Sequence, residues 1–248
     1  MTKLADKVVW ITGASSGIGE MLAYGAAERG ARIVLTSRRQ AELERVRNAC
    51  ADPARVGVLP ADLTAFDAKE LAQKAAGFFG PVDVLVNNAG WSQRSLARDT
   101  DMAVYRRLME LDFFAPVALT QAVLPGMLAS EHGGHVVMVG SVVSRFGAPL
   151  RSGYSAAKHA LAGFTEAART ELWREQVKFT LVCPGFVKTQ VSVNALDGHG
   201  GTHGRMDGGV EKGMDARACA EKIWRAVERD VEETLIGAQA KFVHLKRF

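Results

Sequence analysis

Seven short apolar runs recur along the chain, and a stretch of helical period separates each from the next. The runs are Val8–Thr12, Arg32–Thr36, Val56–Pro60, Val82–Asn87, His135–Gly140, Phe179–Cys183 and Thr234–Ile236. The helical stretches between them are Ile18–Arg29, Glu42–Ala49, Ala68–Phe79, Met102–Leu128, Tyr154–Glu175 and Ala216–Glu228. Such alternation dictates βαβ units, because parallel strands need a crossover and a helix is the usual one. Most of the runs are almost continuously apolar, as strands covered on both faces must be. The expectation is therefore a doubly wound parallel sheet of about seven strands with helices on both faces. A chain of 248 residues fits one such domain, and no linker, repeat or low-complexity tract divides it.

Composition narrows the function more by exclusion than by suggestion. The formal net charge is +4, with basic residues spread along the chain rather than clustered among aromatics, so a nucleic-acid groove is not expected. The N-terminal residues Met1 to Lys7 carry no apolar leader, and no stretch of 18 uncharged apolar residues occurs. Cys50, Cys183 and Cys219 are scattered without ligand spacing. Reduced thiols in a cytoplasmic compartment are expected, and no metal site. One segment breaks the pattern: Asn194–Gly213 is Gly-rich, with His199 and His203 and no hydrophobic period. A loop of that length in a compact domain is functional or floppy, and a substrate lid over about 190–213 is the preferred reading.

The first strand runs into Gly13-Ala14-Ser15-Ser16-Gly17-Ile18-Gly19 and then a helix. Strand, Gly-rich turn and helix N-terminus together make a cradle for pyrophosphate, which backbone N–H groups and the helix dipole favour. This frame is of the Rossmann type, with spacing G-x-x-x-G-x-G rather than G-x-G-x-x-G. Beyond the second strand, where NAD binders place an acid for the ribose, the chain reads Ser37-Arg38-Arg39. An Arg fork there accommodates a 2′-phosphate, so NADP(H) is the expected cofactor.

These motifs, taken with Asn88-Ala89-Gly90, Ser141, Tyr154-Ser155-Ala156-Ala157-Lys158 and Pro184-Gly185, resemble the short-chain dehydrogenase/reductase family in its classical branch. Val123-Leu124-Pro125 and Tyr154–Leu161 look like its hydroxysteroid dehydrogenase-like reductases. The resemblance implies hydride transfer between NADP(H) and a carbonyl or secondary alcohol. It assigns Tyr154 as acid/base, Lys158 as the cation that lowers its pKa and holds the nicotinamide ribose, and Ser141 as a hydrogen bond to the substrate oxygen. By position it adds Asp62 and Leu63 at the adenine, Asn88 to Gly90 beside the cofactor, and Pro184, Gly185, Val187 and Thr189 near the carboxamide. It also implies a homodimer or homotetramer through Met102–Leu128 and Tyr154–Glu175, whose second face is unusually apolar.

The residues support the chemistry independently. Tyr154 and Lys158 are i,i+4 on a helix and share a face, and Ser141 follows a strand at its carboxyl end, where open α/β sheets bind ligands. Bringing a phenol from its free pKa of about 10 to neutrality needs roughly 3–4 kcal/mol in favour of the phenolate, which a nearby ammonium supplies in part. One position departs from the family: Asp112 stands where an Asn of the proton relay is usual, and an ionised carboxylate cannot donate. The expected pocket residues are Ser92, Gln93, Arg94, Val143, Arg145, Pro149 and Val191, with Arg145 preferred as a solvated loop charge; Trp91 either stacks on a flat ligand or packs. Two other readings stay open: a catalytically silent NADP(H) sensor, and a 3-oxoacyl carrier-protein reductase.

Overall fold

The computed structural model describes residues 2–237, so the basic and apolar tail Lys241–Phe248 lies outside the described residues. Seven strands form one parallel sheet: β1 (Val8–Thr12), β2 (Arg32–Thr36), β3 (Val56–Val58), β4 (Val84–Asn87), β5 (Gly134–Val139), β6 (Val177–Pro184) and β7 (Glu233–Ile236). Their spatial order is β3-β2-β1-β4-β5-β6-β7. Alternate side chains feed two cores. Val9 and Ile11 enter the core shared with α1 (Gly17–Glu28), α2 (Gln40–Ala49) and α8 (Ala216–Glu228), while Trp10 enters the opposite one. That second core packs α3 (Ala68–Phe79), α5 (Ala115–Ala129) and α6 (Ser152–Glu171). The order reverses between β1 and β4, which pair in register from Val9 and Val84, and a crevice opens at their carboxyl ends.

Three expectations from the sequence change in the structure. The helix foreseen over Met102–Leu128 is two helices, α4 (Met102–Met109) and α5, joined by a wider π turn at Glu110–Phe114. A π turn adds one residue to the winding, and it buries Asp112 completely. That whole run, Met102–Ala129, is long and apolar enough to cross a membrane by length and composition alone. In this fold Leu108, Leu119, Val123 and Met127 on it are buried in the protein core. Helix α6, expected over Tyr154–Glu175, begins at Ser152, where a distant side chain caps its first N–H groups, and ends at Glu171.

The Gly-rich segment is also not structureless. Leu196 pairs with the strand-like stretch Ser92–Arg94 through Leu196 N–H to Ser92 O at 2.8 Å and Arg94 N–H to Leu196 O at 2.8 Å. Ala195, Leu196 and Val210 are buried, and a short helix α7 (Gly208–Glu211) is capped by Asp207. The glycines hide this order from a period search, since the anchors are single residues.

Helix α1 lies on α8 with Gly25 against Trp224, whose indole N–H donates to Leu22 O at 3.1 Å. A Cβ at Gly25 would stand 2.8 Å from Trp224 Cδ1, whereas one at Gly77, exposed on α3, meets nothing within 4 Å. Gly25→Val therefore lowers the urea-measured unfolding free energy by about 1–3 kcal/mol, through overpacking. Gly77→Ala raises it by about 0.5–1 kcal/mol, because only the entropic cost of glycine in a helix changes.

Candidate active site

The crevice at the β1–β4 reversal is a cleft of about 1040 Å³. At its phosphate end, β1 turns through the glycine loop into α1. Gly17 has φ +61°, and a Cβ there would meet Thr189 Cγ2 at 3.0 Å across the cleft. Ser16 precedes α1 without a side-chain cap, so the first-turn N–H groups have no hydroxyl partner from it. A pyrophosphate fits that end: its oxygens meet uncapped N–H groups, and no side chain occupies the loop's cleft face at Gly17. Asn88 fixes the opposite wall, its amide donating to Thr12 O at 2.9 Å.

At the end of β2, Arg38 and Arg39 are exposed, and Ser37 Oγ accepts the Arg39 N–H at 3.2 Å. The Arg39 guanidinium donates to Ser15 Oγ at 3.0 Å and Ser16 Oγ at 3.1 Å, bridging β2 to the glycine loop. The Arg38 guanidinium lies over the Trp91 ring at 5.2 Å, and Arg107 of α4 lies over the same ring at 5.2 Å. Asp62 binds back to Thr64, accepting its N–H at 3.0 Å, while Leu63 is buried beside it in the cleft wall. Ala89, Gly90, Pro184, Gly185 and Val187 also line the cleft, as does Ile18 of the glycine loop.

At the other end, Ser141, Tyr154, Lys158 and Asp112 converge. Ser141 follows β5 and opens a single helical turn; it accepts the Val143 N–H at 3.4 Å and donates to Pro184 O at 3.4 Å. Lys158 is buried; its ammonium donates to Val139 O at 3.1 Å, contacts Asp112 Oδ1 at 3.0 Å and lies 5.8 Å from the Tyr154 ring centroid. Burial pushes the Tyr154 phenol above its ordinary pKa and the Asp112 carboxylate adds to the rise, against Lys158, the Ser141 hydrogen bond and Arg151. Burial alone would lower the Lys158 ammonium, yet Asp112 and Tyr154 hold it above its usual range. Burial likewise raises Asp112, despite its contact with Lys158.

Of the expected pocket residues, Ser92, Val143, Pro149 and Val191 line the cleft, and Gln93, Arg94 and Arg145 do not; Trp91, left open between stacking and packing, lines it too. Arg145 pairs with Glu233 at 2.8 Å and Glu166 at 2.5 Å. Arg94 and Arg151 both pair with Asp207, at 3.3 and 2.6 Å. Gln93 is fully buried and caps α6: its carbonyl accepts the N–H of Gly153 at 2.7 Å and of Tyr154 at 3.3 Å. Its amide donates to Ser95 and Thr100, both at 3.0 Å. The sequence reading missed Arg107, Phe146, Arg151, Phe186 and Leu196 as lining residues. Phe186 lies within the Pro184–Thr189 stretch but has no motif role there, and no local motif marks the others.

Comparison with known proteins agrees with this geometry. The family model described as short chain dehydrogenase matches residues 7–199. The human "Dehydrogenase/reductase SDR family member 7" is 41% identical over 244 residues, covering 96% of this chain and 72% of that one. A solved short-chain dehydrogenase/reductase from Burkholderia phymatum in complex with NAD superposes with a TM-score of 0.88 at 24% identity, covering 99% of this chain and 94% of that one. An alcohol dehydrogenase from Thermococcus sibiricus complexed with 5-hydroxy-NADP gives 0.79 at 26%, covering 94% and 96%.

Gln93→Leu removes the cap from two N–H groups and leaves Ser95 and Thr100 without their amide donor. The expected loss is about 1–3 kcal/mol in urea unfolding.

Proposed function

The chain belongs to the short-chain dehydrogenase/reductase family, and from that premise we propose that it reduces an apolar ketone or aldehyde with NADPH. The observation that carries this is the convergence of Ser141, Tyr154 and Lys158 at one end of a dinucleotide-sized cleft. The glycine loop at Gly13–Gly19 would hold the pyrophosphate of a nicotinamide cofactor, which would supply the hydride for the substrate carbon. Ser141 holds the carbonyl oxygen by a hydrogen bond. Tyr154 gives that oxygen its phenolic proton, which completes the alcohol, and the phenolate then recovers a proton from solvent. Lys158 stabilises the phenolate while it exists. A phenol held above its ordinary pKa is protonated at neutral pH, which is the form that reduction needs.

NADP(H) over NAD(H) rests on Ser37 in place of a ribose-binding acid and on the exposed Arg38 and Arg39 guanidinium groups. The apolar substrate class rests on Val143, Phe146, Pro149, Phe186, Val191 and Leu196 in the wall beyond Tyr154. The segment at about 190–213 acts as the lid of that wall, latched by Asp207 to Arg151 and Arg94. Phe114, Leu128 and Trp173 expose large apolar side chains on or beside α5 and α6 and serve self-association into a dimer or tetramer.

NADPH oxidation against a panel of ketones, aldehydes, quinones and steroids tests the reading, and Tyr154→Phe lowers kcat by about 10²-fold or more. Turnover equal in both proteins, or none at all, would defeat it. Arg38→Ala raises the KM for NADPH roughly tenfold and leaves that for NADH unchanged, since a charge-assisted phosphate bond is worth about 1.5–3 kcal/mol.

A further inference from the structure

A buried carboxylate faces the buried ammonium of the proton-transfer group, and three independent features of the fold put it there. The π turn at Glu110–Phe114 carries Asp112, which is fully buried at the cleft wall. Gly90 leaves the space, because a Cβ at that position would land on Asp112 Oδ1 and stand 3.4 Å from Lys158 Nζ. The Trp91 N–H then donates to Asp112 Oδ2 at 3.2 Å and orients the carboxylate. Among the described residues, Oδ1 accepts no well-angled hydrogen bond, and its close cationic neighbour is Lys158 Nζ at 3.0 Å. An amide of the same shape at position 112 would leave the ammonium's charge uncompensated.

We propose that Asp112 is a positioning residue that anchors the Lys158 ammonium, partly neutralises it, and so sets the pH at which Tyr154 gives or takes the substrate proton. The inference rests on the oxidoreductase reading above and adds a direction to it. Every charged or titratable group facing Tyr154 and Lys158 has a stated place. Lys158 lies one turn along α6, Asp112 comes from the π turn, and Arg151 from the chain before α6, where Asp207 of the lid segment already pairs with it. On β6, Cys183 faces Lys158, and burial first of all pushes its thiol up to about 12, so it stays neutral. Among the described residues, Asp112 is therefore the acid packed directly on the pair.

The consequence is a sign. A carboxylate beside Lys158 opposes loss of the Tyr154 proton, so the phenol remains the proton donor over the neutral range. Carbonyl reduction, which consumes that proton as the carbon receives hydride, proceeds there. Alcohol oxidation, which needs the phenolate to accept the hydroxyl proton, is deferred to higher pH.

The experiment is a pH profile of kcat/KM for alcohol oxidation and carbonyl reduction in the wild type, Asp112→Asn and Asp112→Ser. Both variants remove the charge, and one keeps the shape, so loss of folding in one leaves the other to decide. The expected result is a common shift of the limiting midpoint to lower pH by about one to two units, from removal of one charge at close range in a poorly screened site. A role in packing alone would lower kcat at every pH and leave the midpoint in place, and that outcome overturns the proposal. A second readout needs no turnover: phenolate absorbance titration of each protein, with its Tyr154→Phe counterpart subtracted. Tyr154 ionising at lower pH in both variants supports the inference. Coincident midpoints, or no midpoint in any of the proteins, refute it. Absence of turnover across the substrate panel would defeat the oxidoreductase reading, while the titration would still judge Asp112.

Discussion

The junction of β1 with β4 is the constraint on which the rest of the site depends. Chain order runs outward from it in both directions, so the helices on either side leave a crevice at the strand ends. One side chain closes the junction. The Thr12 hydroxyl accepts the N–H of Asn88 at 3.0 Å and of Ala89 at 3.1 Å, and lies 3.3 Å from Val86 O as donor. Asn88 returns the link with its own amide to Thr12 and Gly13. The glycine loop and the Asn-Ala-Gly turn are thereby held as one wall, and the strands beneath fix their separation. A hydroxyl that uses donor and acceptor capacity together is inexpensive to bury, and its loss would leave two N–H groups without partners.

From that wall, Tyr154 and Lys158 are positioned by neighbours both outside the cleft lining and within it. Gln93 sits outside the cleft lining, yet it fixes where α6 begins and so where Tyr154 stands. The π turn decides that Asp112 faces inward, and Gly90 decides that there is room for it. Each of these is a buried polar contact or a close approach, which are the features most sensitive to small displacement. A uniform helix from Met102 to Ala129 would not present residue 112 at this wall in the same register.

How much of this the sequence discloses depends on whether a residue acts through its neighbours in the chain or through distant ones. Val8–Thr12 and Arg32–Thr36 are readable as strands because a sheet covered on both faces needs continuous apolar runs, and the structure places them at those bounds. Ser141, Tyr154 and Lys158 are readable because strand end and i,i+4 spacing carry their geometry locally. Arg107 is not, since only the fold brings it onto the Trp91 ring opposite Arg38. Gln93 is expected in the pocket, whereas it is fully buried and its carbonyl points to the N-terminus of α6. The segment Asn194–Gly213 lacks period because its order comes from single anchors, Ala195 and Leu196 beneath and Asp207 at the rim. The π turn leaves no break in the apolar period, because Glu110-Leu111-Asp112-Phe113-Phe114 keeps the helical pattern through it; only the family resemblance, which implies a helix irregularity at Asp112, points to it.

The charges of the cleft divide it by task. At the β2 end, Arg38 and Arg39 stand exposed and Arg107 shares the indole with Arg38, so positive charge is concentrated where little desolvation opposes it. At the catalytic end the cation is buried, and a buried ammonium without a partner is costly by several kcal/mol. Asp112 meets that cost for Lys158, as Asp207 meets it for Arg151 at the rim. The same carboxylate that makes the ammonium tolerable in the interior also weakens its hold on the phenolate. Stability and proton affinity at this centre thus share the contact of 3.0 Å between Asp112 and Lys158, alongside burial and the Lys158 hydrogen bond to Val139 O.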